Sequence, residues 1–144
     1  METAGYSGTP LARKLGLKDG QAVAFVGLPE SLTHLAKAAA FRRIERAADW
    51  RGLPDGAWDV IHFFTKSAVE VGEALPMLRT MIAVDGMIWV SWPKKASKVL
   101  TDVTEDTIRN RALADVLVDV KVCAVDEVWS GLKLVVRRGL RKGL

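Results

Sequence analysis

Hydrophobic residues gather in short uninterrupted runs separated by segments of helical periodicity. Three runs, 21–27, 59–64 and 87–91, are almost wholly apolar and are bounded by glycine, proline or aspartate. Runs of this length between turn residues are typical of strands buried on both faces of a parallel sheet. We therefore predict that they are adjacent, parallel central strands. A weaker, charged run at 41–47 predicts a strand nearer the sheet edge.

Between the runs, apolar residues recur three and four positions apart, which is the spacing of one helix face. Ser67 with Glu70, and Asp102 with Glu105, have the spacing of capping boxes and predict two helix N-termini. Pro76 lies within the first of these helices and is expected to kink or restart it. The stripe of that helix consists of Ala68, Val71, Leu75, Leu78 and Ile82.

The end of the chain changes its period. Apolar and polar residues alternate through 116–125 and again through 132–137, with Gly131 just before the second stretch. Two alternating stretches joined by a short loop indicate an antiparallel hairpin at one side of the sheet. Strands that alternate with helices imply right-handed crossovers and a parallel sheet. We predict a single Rossmann-like, three-layer α/β domain whose mostly parallel sheet ends in this hairpin, an architecture that resembles the class I methyltransferases.

Composition fits one globular domain. The chain has 144 residues, of which 49% are hydrophobic and 26% charged, and no apolar run approaches the roughly 20 residues of a membrane span. The N-terminus lacks the basic and apolar regions of a signal peptide. Cys123 is the only cysteine, which excludes an intrachain disulfide and a multi-thiolate metal site. We expect a soluble, cytoplasmic, bacterial-type protein with no metal site and no membrane association.

The net charge of +4 is concentrated at the C-terminus. Four cations and no acids occupy the last eight residues, so that residues 1–136 are neutral as a whole. We predict a domain at 1–136 and a basic tail at 137–144, which is normally solvated and frayed. Because the excess charge lies in the tail, nucleic-acid binding is the least favoured of the functions considered.

Four segments resemble an uncharacterised bacterial family catalogued as domain of unknown function 3052. They lie at 6–11, 90–97, 101–106 and 120–133, and they span the domain from end to end. The second reads Val-Ser-Trp-Pro-Lys-Lys-Ala-Ser, and the last contains Val-Asp-Glu-Val-Trp-Ser-Gly-Leu-Lys. The resemblance implies membership of that family and no activity, because the family has none assigned.

The loop after the first strand decides what the fold could bind. A nucleoside-binding loop uses several glycines so that its backbone can approach the ligand. This chain has Gly27 alone, followed by Leu28 and by Pro29, which has no N–H to donate. Glu45 or Asp49 could still meet a ribose from the end of the second strand. The loop disfavours S-adenosylmethionine, and the cofactor stays unknown.

Lysines follow two of the predicted strands at the carboxyl edge of the sheet, where open α/β sheets bind ligands. Lys94 and Lys95 come directly after the third strand beside Trp92, and Lys66 follows the second strand. Lysines beside an aromatic face can hold a phosphate or carboxylate and stack a base. The alternative is that adjacent lysines form an ordinary solvated turn.

A second cluster lies in the hairpin loop. Asp126 and Glu127 could supply a base or pair with the lysines, and Trp129 could join Trp92 around one concave surface. A structural ion pair between hairpin and loop is the alternative reading. Thr9 either contributes to a lid over this edge or only caps the first helix. His34 and His62 are interpreted as surface or core residues.

Three functions remain open. The first is a degenerate methyltransferase-like domain that binds a small anionic or nucleotide-like ligand at Lys94, Lys95 and Trp92. The second is an S-adenosylmethionine-dependent methyltransferase with an atypical cofactor loop. The third is an interaction or regulatory module, homo-oligomeric through some of its five tryptophans. Whether the protein is an enzyme stays undecided.

Overall fold

A six-stranded sheet organises the chain, and the computed structural model describes residues 10–143. The strand order is β2-β1-β3-β4-β6-β5. Three α-helices accompany the sheet: α1 (Leu11–Lys14), α2 (Ala68–Met81) and α3 (Glu105–Leu113). The strands are β1 (Ala22–Val26), β2 (Arg43–Ala47), β3 (Trp58–Phe64), β4 (Ile82–Pro93), β5 (Leu117–Ala124) and β6 (Trp129–Val136). Short 3-10 helices span Glu30–Lys37, Trp50–Gly52, Lys95–Ser97 and Arg138–Gly143.

The strand pairing confirms the predicted architecture. β2, β1, β3 and β4 are parallel, and the three apolar runs form the adjacent strands β1, β3 and β4. The charged strand β2 lies at one edge of the sheet, and the antiparallel β5–β6 hairpin closes the other side. The chain is therefore a single α/β domain with a mostly parallel sheet and a terminal hairpin.

Two hydrophobic clusters cover the two faces of the sheet. On the first face, α2 and α3 pack against alternate strand residues such as Ile61 and Val90. On the second face, α1 and the 3-10 helix Glu30–Lys37 pack against the intervening residues, among them Phe25. Successive side chains of a strand point to opposite faces, so each central strand feeds both clusters. This produces the three predicted layers.

The N-termini of the helices depart in part from the predicted capping boxes. The Ser67 hydroxyl accepts from the Glu70 N–H at the start of α2, as predicted, but the Glu70 carboxylate does not return to the cap. The prediction for α3 is wrong, because Thr104 and Thr107 form its capping box. Asp102 instead accepts from the Ala68 N–H at 2.7 Å and caps α2 from a neighbouring segment. Sequence spacing cannot detect such a long-range partner.

α2 continues through Pro76, and no break in the helix accompanies it. Pro76 is exposed and lies in the second half of the helix.

Within the described residues, no helix has both the length and the apolar character that a membrane span would need.

The chain reverses direction across the sheet between β1 and β3. From β1 it runs outward to β2, and it then returns to place β3 on the other side of β1. Such a topological switch point opens a crevice beyond the carboxyl ends of the strands, where open α/β sheets bind ligands. Here the crevice lies beside Gly27 at the end of β1 and Thr65 at the end of β3.

Candidate functional site

Two open cavities meet beside Gly27 at the switch point. One, of about 570 Å³, is lined by residues at the ends of β1 and β2, namely Gly27, Leu28, Arg46, Ala47 and Ala48. The other, of about 500 Å³, is lined by residues around the ends of β1 and β3, namely Gly27, Pro29, Phe64, Thr65, Lys66, Ser67, Glu70 and Trp129. We call the two together the switch-point crevice. Cavities of this size are ordinary for small-molecule sites.

Gly27 has a structural role in the crevice. Its φ is +68°, and a Cβ there would lie 2.9 Å from the backbone oxygen of Phe64. Its N–H donates to the Ala47 oxygen at 2.8 Å and extends the pairing of β1 with β2. Gly27 therefore lets β1 and β3 approach closely, but its own N–H is not available to a ligand.

Polar side chains line the β3 half of the crevice. The Thr65 hydroxyl donates to the Glu70 carboxylate and also accepts from the Ser67 N–H at 3.2 Å. Lys66 is exposed, and its backbone oxygen accepts from Thr101 and Asp102. The β3 half of the crevice thus holds a carboxylate fixed by a hydroxyl, together with the exposed Lys66.

Aromatic rings form the wall beside these groups. Phe64 meets Trp129 edge to face, with ring centroids 5.3 Å apart, and stacks on His62 at 4.1 Å. His62 is buried and shares a hydrogen bond of 2.6 Å with the Ser91 hydroxyl. Burial lowers the pKa of His62 to about 3, so this imidazole is neutral at physiological pH. His62 is a core residue that supports the wall, and it does not reach the crevice.

Asp126 holds Trp129 in place. Its Oδ1 accepts from the N–H groups of Val128 at 2.8 Å and Trp129 at 2.7 Å, which closes the turn between β5 and β6. Glu127 is exposed in the same turn. Among the described residues no ion pair joins either acid to a lysine, so the alternative of a structural ion pair with Lys94 or Lys95 is not formed. Asp126 satisfies backbone donors of its own turn instead.

The β2 half of the crevice is basic rather than acidic. Arg46 lines the cavity, whereas Asp49 accepts from the Arg51 N–H and caps the 3-10 helix Trp50–Gly52. Glu45, the other acid considered for a ribose, does not line the cavity. In dinucleotide-binding folds, an acid at the end of the second strand meets ribose hydroxyls, and an arginine nearby accommodates a phosphate. The arrangement here suits a phosphate.

Trp92 and the lysines after β4 are placed differently from the prediction. Trp92 packs with α2 and α3 on the first face, whereas Trp129 belongs to the cluster on the second face. The two tryptophans therefore do not line one concave surface, and that expectation is wrong. Lys94 donates its N–H to the Val128 oxygen at 2.7 Å, so the β4 and hairpin loops do meet at one edge. Lys94 is half-buried, Lys95 is exposed, and neither lines the switch-point crevice.

Of the residues predicted for the site, the structure brings Lys66 and Trp129 to the crevice. Asp126 does not line the crevice but accepts a hydrogen bond from the Trp129 N–H. Thr9 lies outside the described residues. Three lining residues, Arg46, Thr65 and Glu70, were not among the predicted site residues. Position along the chain was their signal for two of the three: Arg46 lies near the carboxyl end of β2 and Thr65 directly follows β3, whereas Glu70 lies in the first turn of α2. Glu70 was instead assigned to a capping box, because it lies three residues after Ser67.

Comparisons with known proteins identify the fold. No family model matches the chain, and no curated protein matches it. A solved structure of an S-adenosylmethionine-dependent methyltransferase from Aquifex aeolicus superposes with a TM-score of 0.65 at 15% identity, covering 88% of this chain and 88% of that one. Magnesium protoporphyrin IX methyltransferase from Synechocystis PCC 6803, solved with bound S-adenosylmethionine, gives 0.63 at 16% identity and covers 87% and 74%.

A third similar structure is the ribosomal protein L11 methylase from Lactobacillus delbrueckii subsp. bulgaricus. It gives a TM-score of 0.55 at 13% identity, covering 89% of this chain and 75% of that one. At such low identities the similarity establishes the fold alone. The chain has the fold of the class I, S-adenosylmethionine-dependent methyltransferases.

Proposed function

On this methyltransferase-like fold, we propose that the protein binds a small anionic, nucleotide-like ligand in the switch-point crevice. The observation that carries the proposal is the pair of cations on either side of Gly27, with Arg46 in one cavity and Lys66 in the other. Both side chains belong to exposed residues, and no ion pair among the described residues engages them. Membership of the family of domain of unknown function 3052 is part of this proposal and adds no activity.

The crevice has complementary parts for such a ligand. A phosphate beside Arg46 would receive charge-assisted hydrogen bonds, which are the strongest kind available to an exposed anion. Phe64 and Trp129 offer an aromatic wall to the apolar part of the ligand, and the fixed Glu70 carboxylate can accept from its N–H or O–H groups. Lys94 and Lys95 contribute to the positive charge of the same sheet edge, outside the lining of the crevice.

Titration with adenosine monophosphate, followed by tryptophan fluorescence and calorimetry, tests the proposal. Each charged hydrogen bond contributes roughly 1.5–3 kcal/mol, so Arg46→Gln and Lys66→Gln should each weaken binding by about tenfold or more. Lys94→Gln with Lys95→Gln removes two nearby charges outside the crevice and serves as the matched control. Equal affinities for the parent and the Arg46→Gln, Lys66→Gln double variant would refute the proposal.

An S-adenosylmethionine-dependent methyltransferase is the second candidate, favoured by the similar structures and by the crevice at the switch point. Against it are the engaged Gly27 N–H, the missing donor at Pro29, and an arginine in the place of a ribose-binding acid. Calorimetry with S-adenosylmethionine separates the two. A micromolar dissociation constant, about −8 kcal/mol, would favour the methyltransferase over the anion-binding domain.

A further inference from the structure

Several lysines lie near one another on the second face of the sheet, away from the switch-point crevice. Lys121 of β5 and Lys133 of β6 lie directly opposite each other in the antiparallel register. The Lys121 ammonium also donates to the backbone oxygen of Lys14 at 3.0 Å, which places it at the C-terminal end of α1. Lys18 follows α1 and is exposed. We call Lys18, Lys121 and Lys133 the lysine surface.

This arrangement is unfavourable for the isolated protein. Like charges directly opposite each other on neighbouring strands destabilise a sheet. Burial lowers the pKa of Lys133, and the positive charges of Lys121 and Lys18 lower it further. Within the described part of the chain, no ion pair supplies a carboxylate to any of the three. An external anion would relieve the repulsion.

A shallow cavity extends the lysine surface along α1. It has a volume of about 330 Å³, and its lining residues are Pro10, Ala12, Arg13, Gly16, Leu17 and Lys18. Its apolar part is flanked by two exposed cations, Arg13 and Lys18. Cations are thus spread along a surface, and they do not converge on one enclosed point.

We propose that the lysine surface, where Lys121 and Lys133 oppose each other across the hairpin beside Lys18, binds the phosphate backbone of a nucleic acid. Lys18 and Lys121 are exposed and Lys133 is half-buried, and lysines on such flexible stems suit a row of phosphates, which they contact without reading sequence. A single small anion would instead need donors that converge in a closed pocket. The overall charge of residues 1–136 is zero, so the average over the sequence conceals this local excess.

Fluorescence anisotropy with labelled oligouridylate and the full chain, measured over a series of salt concentrations, tests the proposal. Each phosphate contact to a single strand contributes about 0.7 to the slope of log K against log salt concentration. Lys121→Gln with Lys133→Gln should therefore lower the slope by about 1.4 and weaken binding roughly tenfold or more at low salt. The matched control is Lys98→Gln with Arg111→Gln, which removes two exposed cations from elsewhere on the molecule and should leave the slope unchanged.

Two further variants separate this site from its neighbours. Arg46→Gln with Lys66→Gln should keep the affinity for RNA, because these residues line the switch-point crevice; a large loss would assign RNA binding to that crevice and overturn the proposal. Removal of 138–144 should weaken binding only in part. If it abolishes binding while Lys121→Gln with Lys133→Gln has no effect, the contact is tail electrostatics and the proposal is wrong. Stronger binding to phosphatidylserine vesicles than to RNA would also overturn it.

The thermal stability of Lys133→Gln without nucleic acid provides an independent readout. If Lys133 serves to bind nucleic acid and not to stabilise the fold, removing its charge relieves its repulsion with Lys121. The melting temperature at low salt should then stay the same or rise. A structural lysine would show a fall instead, which would contradict the proposal.

Discussion

At the scale of single residues, His62 shows how burial creates a dependence on pH. The ring is fully buried and its pKa lies near 3, against 6.5 for the free side chain. Between these two pH values only the unfolded chain binds the proton. The free energy of unfolding should therefore fall as the pH is lowered from about 6.5 towards 3, by an amount on the order of 4 kcal/mol.

Urea unfolding of the parent and of His62→Gln over this pH range measures that contribution. The amide of glutamine can keep a hydrogen bond to Ser91 but does not titrate. Acidic groups affect both proteins alike, so the difference between the two stabilities isolates the histidine. We expect that difference to shrink towards low pH; parallel curves would mean that His62 does not remain neutral in the folded protein.

Gly27 illustrates a second constraint on a single residue. An alanine there would need a positive φ and would also place its Cβ 2.9 Å from the Phe64 oxygen. Gly20 has a φ of +85° but no atom near its Cβ position, so Gly20→Ala carries only the backbone strain. By urea denaturation, Gly27→Ala should be less stable than Gly20→Ala by roughly 1–3 kcal/mol. Equal losses would show that β3 moves aside freely.

At the scale of elements, the start of α3 depends on Thr104. Its hydroxyl accepts from the Thr107 N–H at 3.1 Å and completes a capping box. Thr104→Ala should lower the free energy of unfolding by about 1 kcal/mol, whereas Thr104→Ser keeps an acceptor and should lose much less. Chemical denaturation of the two variants checks this. If both are equally stable, the cap adds nothing to the fold.

At the scale of the whole molecule, the end of the folded domain can be located by truncation. The Arg137 N–H donates to the Val116 oxygen at 2.8 Å, and its guanidinium donates to the oxygens of Leu113 and Asp115. We propose that Arg137 belongs with the domain rather than with the basic tail. A chain that ends after Arg137 should then melt close to the parent temperature, and one that ends after Val136 should melt several degrees lower. Equal melting temperatures would support the boundary at 136.

Most of the architecture of this protein could be predicted from its sequence alone. Apolar runs bounded by turn residues predicted the strands β1, β3 and β4, and alternation of apolar and polar residues predicted the β5–β6 hairpin, although Val120 and Val122 of that alternation are exposed in β5. These signals are local, because the period of hydrophobic residues reflects how many faces of a strand are buried. The same reasoning placed Lys66 and Trp129 at the carboxyl edge, since residues after parallel strands emerge there.

Only the tertiary structure decided which of these residues meet. Trp92 and Trp129 reach the same edge, but they point to opposite faces because the register pairs Pro93, and not Trp92, with Trp129. Lys121 opposes Lys133 because a register shift lies between Asp119 and Lys121. A shift of one residue moves a side chain to the other face, and its position depends on strand pairing over a distance. A local sequence pattern does not contain information on that pairing. It therefore predicted the layers of this fold, but it did not predict the switch-point crevice or the lysine surface.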